Sequence, residues 1–176
     1  SIVVGENCFE NGSELRIVGL KGLKSVVIGE KSFTKGVGQF RLVDCKVMET
    51  LRIGSGSFSL FDGFKIENVG ALASISIGDG CFKNVSELRM IGMREVESVV
   101  VGERSFTRRK NDFANNPERR VCVRDCPSLR QLRVGRHSFS DYTEMEIECV
   151  DALERIEMGE LGSNSYNCLL YTSDAA

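Results

Sequence analysis

Apolar and polar residues alternate along this chain in short runs of the form Φ-x-Φ, and the runs come in pairs. Residues 40–58, FRLVDCKVMETLRIGSGSF, hold one complete cycle. Phe40 and Leu42 form one run, Cys45-x-x-Met48 turns the chain, Leu51 and Ile53 form the other run, and Ser57-Phe58 closes the coil. A period of two sends one side of each run inward and the other outward. Each run holds only two or three inward residues, too few to stand as a hairpin. Such runs are stable only if equivalent strands stack in register along an axis, about 4.8 Å apart. The predicted fold is mainly β, a parallel β-solenoid with two facing sheets and a narrow core. No stretch carries an amphipathic helix of three turns, and residues 30–33 would accommodate at most a single helical turn.

The repeat is marked by Gly-x-x-[Ser/Cys]-Phe, which occurs six times, at Gly5, Gly29, Gly54, Gly78, Gly102 and Gly135. Successive glycines are 24 residues apart, except for one spacing of 25 and one of 33. A fixed period in this range signals a solenoid. A Φ-x-Φ run precedes each marker and a second run follows it. From the start of each second run to the start of the next first run is 11 residues in every cycle, so one corner keeps a constant shape.

This periodicity predicts a single solenoid over residues 1–167, of about six to seven coils of 24–25 residues. The fifth cycle holds all the extra length. Its stretch TRRKNDFANNPERR, residues 107–120, is polar and reads as a loop inserted at one corner. A seventh cycle starts at Glu154 and then loses the marker. The closing CLLYTSDAA, residues 168–176, resembles the translated readthrough of a transposase-adapter sequence, so native sequence is expected to stop near Asn167. On that expectation the chain is a fragment of a longer array, and its capping coils are missing.

Composition narrows the function classes. A formal net charge of −2 gives no general attraction to nucleic acid. No apolar run reaches membrane-spanning length, so no membrane insertion is expected in this fragment. Segments such as Val121–Gly135, VCVRDCPSLRQLRVG, look like leucine-rich repeats, and the marker that follows resembles the IGxxAF turn of the bacterial surface-antigen (BspA-like) class. The resemblance covers residues 1–159. It implies a solenoid of leucine-rich-repeat type serving recognition or adhesion, often at cell surfaces, without catalysis. One departure is that no asparagine recurs at a constant place, which argues against an asparagine ladder.

Little here suggests chemistry. Cys8 and Cys81 stand at the marker position that is Ser elsewhere, and Cys45 and Cys126 at a corner position held by apolar residues. Both pairs are three coils, about 14 Å, apart, beyond disulfide reach. The six cysteines before residue 168 are therefore expected to be free thiols, which leans toward a reducing compartment, against the cell-surface expectation. Cys122-x-x-x-Cys126 is not metal spacing, and the single histidine, His137, lies in another corner; no metal, cofactor or catalytic residue is expected. Asp44 and Asp125 share a corner column three coils apart, too far for a glycosidase pair. The phenylalanine column reads as core rather than as a stacking platform. Asn11 and Asn84 open sequences of N-glycosylation form, although asparagine also suits a turn.

Two surface features remain. Arg16, Arg41, Lys65 and Arg89 align on the outward side of the second sheet, where Glu14, Glu67 and Glu87 would neutralise them or where an acidic partner would dock. The insertion adds Arg108, Arg109, Lys110, Arg119 and Arg120, and solenoid insertions often lie on a binding face. The leading expectation is a non-enzymatic scaffold that binds protein or glycan through this face and loop. The alternatives are a structural spacer or stalk of a larger surface protein and, more remotely, a carbohydrate-active β-solenoid.

Overall fold

The computed structural model describes residues 1–108 and 119–159, together with the backbone of residues 169–172. Every regular element among them is a strand, and residues 30–33 form a turn rather than a helix. Numbered along the chain, the strands are β1 (Ile2–Val4), β2 (Glu14–Val18), β3 (Ser25–Ile28), β4 (Gln39–Val43), β5 (Thr50–Ile53), β6 (Gly63–Glu67) and β7 (Ser74–Ile77). They continue as β8 (Glu87–Ile91), β9 (Ser98–Val101), β10 (Arg120–Arg124), β11 (Gln131–Val134), β12 (Glu144–Glu148), β13 (Arg155–Met158) and β14 (Leu169–Thr172). Odd-numbered strands and β14 build one sheet, in the order β1-β3-β5-β7-β9-β11-β13-β14. Even-numbered strands up to β12 build the other, in the order β12-β10-β8-β6-β4-β2.

Neighbours pair in parallel, and the register aligns the Φ-x-Φ runs residue for residue: Val26 with Leu51, Leu51 with Ile75, Phe40 with Phe64, Phe64 with Leu88. The chain is a parallel β-solenoid of about six turns. One pairing departs from the pattern. Residues 169–172, set aside above as adapter translation, run antiparallel to β13 as an added edge strand.

Inward residues of both sheets form one continuous core, from Ile17 to Met158. The constant corner is held by a turn in which Met48 N–H donates to the Cys45 carbonyl at 3.2 Å, repeated at Leu72–Val69 and Leu129–Cys126. Each of β2, β4, β6, β8, β10 and β12 is followed at once by a residue at positive φ: Gly19, Asp44, Asn68, Gly92, Asp125 and Cys149. Glycine, asparagine and aspartate tolerate this left-handed conformation best, which explains most of that column. Asn68 Nδ2 donates to Asp44 Oδ1 at 3.2 Å, a single asparagine rung rather than a ladder.

The marker corner is tighter. A Cβ placed on Gly54 would lie 2.6 Å from the Glu30 nitrogen and 2.7 Å from the Gly29 carbonyl carbon. Close stacking of backbone on backbone, not a special φ, therefore demands the marker glycine from Gly29 to Gly135, whereas a Cβ on Gly5 would meet only Cys8 Sγ, at 3.6 Å. The marker serine is wholly buried at Ser32, Ser57, Ser105 and Ser138. Its hydroxyl donates to the marker glycine carbonyl of the previous coil, as in Ser105 to Gly78 at 2.9 Å and Ser138 to Gly102 at 2.7 Å. The same oxygen accepts the previous coil's N–H, as Ser105 does from Cys81 at 3.1 Å. Where the next coil carries Cys81, Ser57 N–H turns instead to its own Gly54 carbonyl at 3.4 Å. The marker serines thus form a hydroxyl ladder, interrupted by cysteine.

The marker phenylalanines stack ring on ring, with centroid separations of 4.6 Å for Phe33–Phe58, 5.1 Å for Phe58–Phe82 and 5.3 Å for Phe82–Phe106. All sit at positive φ, and from Phe33 onward each ring lies in the core. Phe9 has a ring neighbour on one side only and is 64% exposed, so the column is core from Phe33 onward.

Candidate binding face and the base of the insertion

The second sheet presents three outward columns. Its central column runs Arg16, Arg41, Lys65, Arg89, Cys122, Glu146, each residue in direct register with the next. The stripe of four cations is therefore a real column at strand spacing, about 4.8 Å per step. Stacked like charges repel, and opposed partners relieve the repulsion. Two of the three expected neutralising pairs form: Lys65 with Glu67, and Arg89 with Glu87 at 3.8 Å. Glu14 does not perform that role, and among the described residues no carboxylate lies within ion-pair distance of Arg16 or Arg41. Gln39 orders Arg41 instead, accepting its Nε–H at 2.9 Å. Gln39 carries no charge, so the Arg41 charge remains uncompensated.

The face changes sign along the axis. Strand β10 offers Arg120 and Arg124, and β12 presents Glu144, Glu146 and Glu148. Arg120 is already engaged, with its Nε 2.7 Å from Glu87. Cys122 occupies the place of a fifth cation; it is 8% exposed, and burial raises its thiol pKa above the ordinary 9.0. The basic part thus spans β2 to β8, and the face ends at an acidic wall on β12.

The described ends of the insertion do not form one cationic cluster. Arg109 and Lys110 lie outside the described residues, and Arg108 is half-buried at the loop's start. Arg119 is not a surface cation: its side chain is 1% exposed and ion-paired with Asp141, equally buried. Its Nη2 donates to the Val85 carbonyl and, at 3.1 Å, to the Lys83 carbonyl. Its guanidinium carbon sits 4.5 Å from the centre of the Tyr142 ring. The Tyr142 hydroxyl also donates to Val85 at 2.6 Å, and burial raises its pKa, offset in part by Arg119. In neighbouring coils this space is filled by Phe61, Val85 and Tyr142. Coil five fills it with a guanidinium whose charge Asp141 balances, because an unpaired buried charge is too costly to keep. Arg119 is therefore withdrawn from the partner-binding set. Its role was hidden in the sequence because Asp141 and Tyr142 lie 22 and 23 residues further on.

The six cysteines among the described residues are free. Desolvation pushes the Cys81 thiol up to about 12 and the Cys126 thiol up to about 11, so both are inert as nucleophiles at neutral pH. Among the described residues no group of three or more His, Cys, Asp or Glu lies close enough to hold a metal ion. No helix there is long and apolar enough to cross a membrane. Asp44 and Asp125 share the positive-φ column with Asn68 and Gly92 between them, as their spacing predicted. Comparison with known proteins returned no matching family model, no matching curated protein and no matching solved structure.

Proposed function

We propose that this chain is a non-enzymatic recognition scaffold that binds an acidic partner, protein or glycan, through the outer face of its second sheet. The observation that carries this reading is the uncompensated charge of Arg16 and Arg41 within a four-cation column held in strict register. Aligned like charges cost stability locally, and a partner's anions would offset that cost. The resemblance to leucine-rich repeats of the bacterial surface-antigen class, which implies recognition or adhesion, supports the same reading. The test is binding of the whole chain to a panel of soluble polyanions, read by fluorescence anisotropy. Binding should weaken as salt rises and should be lost in the Arg16→Glu/Arg41→Glu double variant. Salt-independent binding, or equal binding by that variant, would overturn the proposal.

A further inference from the structure

We infer that the acidic partner is a second copy of this chain, docked face to face so that the basic end of each second sheet covers the acidic end of the other. This rests on the function proposed above and narrows it to one partner. The outward face of that sheet is polarised along the solenoid axis. At one end, Arg16 and Arg41 have no carboxylate within ion-pair distance among the described residues, and Arg41 is held by the uncharged Gln39. At the other end, β12 turns Glu144, Glu146 and Glu148 outward, all exposed. Glu146 reaches Arg124 only at 4.0 Å, and no cation among the described residues lies within that distance of Glu144 or Glu148. Between the ends the charges already cancel, Lys65 with Glu67, and Arg89 and Arg120 with Glu87. The uncompensated cations and the uncompensated carboxylates therefore share one face. From β2 to β12 is five strand steps, about 24 Å.

A two-fold axis parallel to the strands brings these ends together. It turns the second copy over, reverses its solenoid axis and sets each outward column against its own equivalent. Strand β12 of one copy then lies over β2 and β4 of the other, and the same contact repeats at the far end. Such an isologous contact closes at two copies. Glu146 enters between Arg16 and Arg41, whose planar forks suit a carboxylate. Glu144 stands in the column of Gln39, whose amide oxygen is taken by Arg41 while its NH2 group stays available. A two-fold axis along the solenoid would instead set Arg16 on Arg16 and Glu146 on Glu146, like charge against like. One repulsion remains, because Glu14 shares the column of Glu144. Six strands about 17 Å long at 4.8 Å spacing present roughly 500 Å² per copy. The dimer therefore buries about 1,000 Å² in all, the lower end for a specific interface. It is weak, concentration-dependent and sensitive to salt.

The experiment is sedimentation equilibrium of the whole chain, over roughly micromolar to millimolar protein. At low salt the mass should rise toward twice that of the monomer, and high salt should weaken association by about tenfold or more. The variants Arg16→Glu/Arg41→Glu and Glu144→Lys/Glu146→Lys should each stay monomeric. Their equimolar mixture should form a one-to-one dimer, because the two swaps together restore opposite charges at both ends; misfolded variants would not recover in this way. Glu14→Gln should tighten the parent dimer by about twofold or more. A parent that stays monomeric at low salt, single-end variants that dimerise as the parent does, or a mixture that stays monomeric would each overturn the inference. Polyanion binding by the parent separates this inference from the reading beneath it. Polyanion binding without dimerisation overturns the second copy and leaves the basic face as a site for another acidic partner. Absence of both overturns the proposed function itself.

Discussion

Coils four and five solve the same packing problem in opposite ways. Coil four closes its corner with a short turn and fills the space beneath it with Val85, wholly buried. Coil five spends nine more residues between marker and second run, and fills the equivalent space with the guanidinium of Arg119. The apolar solution needs nothing from its neighbours except shape. The charged one recruits Asp141 and Tyr142 from coil six, two carbonyls from coil four, and the Phe106 carbonyl at 3.4 Å from its own coil. The difference shows that the solenoid tolerates a long insertion but seals its exit with a specific lock.

The sharpest way to break that comparison is Arg119→Met. Removing one partner of a buried pair leaves the other charged and alone, at a cost near the top of about 3–5 kcal/mol. The double variant Arg119→Met/Asp141→Leu should recover much of the loss, as matched apolar replacements of buried pairs often do. Chemical denaturation of the two variants and the parent checks this; equal losses in single and double variants would show that Asp141 is not the partner that matters. Loop deletion sharpens the point. Removing residues 109–118 but keeping Arg119 should change stability by under about 1 kcal/mol, since closure entropy varies slowly with length. Carrying the deletion through Arg119 should add the lock's full cost. A deletion designed from sequence alone would have taken Arg119 with the loop.

The regular coils give the next largest effect. Phe82→Ala, in the middle of the ring stack, should cost about 3–4 kcal/mol. Phe9→Ala, at a ring 64% exposed, should cost under about 1 kcal/mol. Denaturant melts that place the two variants together would refute the stacked core. Ser105→Ala should cost about 1–3 kcal/mol, because it leaves the Cys81 N–H and the Gly78 carbonyl without their shared partner. A van der Waals account of the marker serine expects no such loss, so thermal melts separate the two explanations.

The smallest effect is on the thiols. Burial raises Cys81 to about 12 and Cys126 to about 11 from an ordinary 9.0. A group whose folded pKa is raised adds stability that is full below the unfolded value and is lost as pH climbs through the folded one. Stability should therefore hold up to about pH 9 and decline above it, as the unfolded chain releases those protons first. Alkylation at pH 8 should reach exposed Cys149 quickly and Cys81 and Cys126 only after unfolding. Rapid modification of Cys81 in the folded state would contradict its place in the stacked corner.

Much of the architecture was legible in the residues themselves. The alternation of Leu51 and Ile53, and the constant eleven-residue interval, predicted parallel strands in register, and Leu51 pairs with Val26 and Ile75 accordingly. The cation column was legible for the same reason: a period that aligns core residues also aligns those facing out. The reason for the marker glycine was less visible. Its need comes from the backbone of the coil below, and a contact between residues about 24 apart leaves no local signature. The hydroxyl ladder was hidden likewise, because Ser32 or Ser105 reads as any small residue until the carbonyl it meets is known.

What the sequence determined by itself is whatever repeats: strand phase, coil number, the buried phenylalanines, and the line of Arg16, Arg41, Lys65 and Arg89. Periodicity fixes these because each coil sees the same neighbours. The tertiary structure alone decided what does not repeat. It took Arg119 from the surface to the core and assigned Asp141 to balance it. It paired Lys65 and Arg89 with carboxylates while leaving Arg16 and Arg41 without one among the described residues, and it added residues 169–172 as an antiparallel edge. In each case the deciding energy is a contact between side chains or backbones far apart in the chain, with a distance and direction that composition and spacing do not encode.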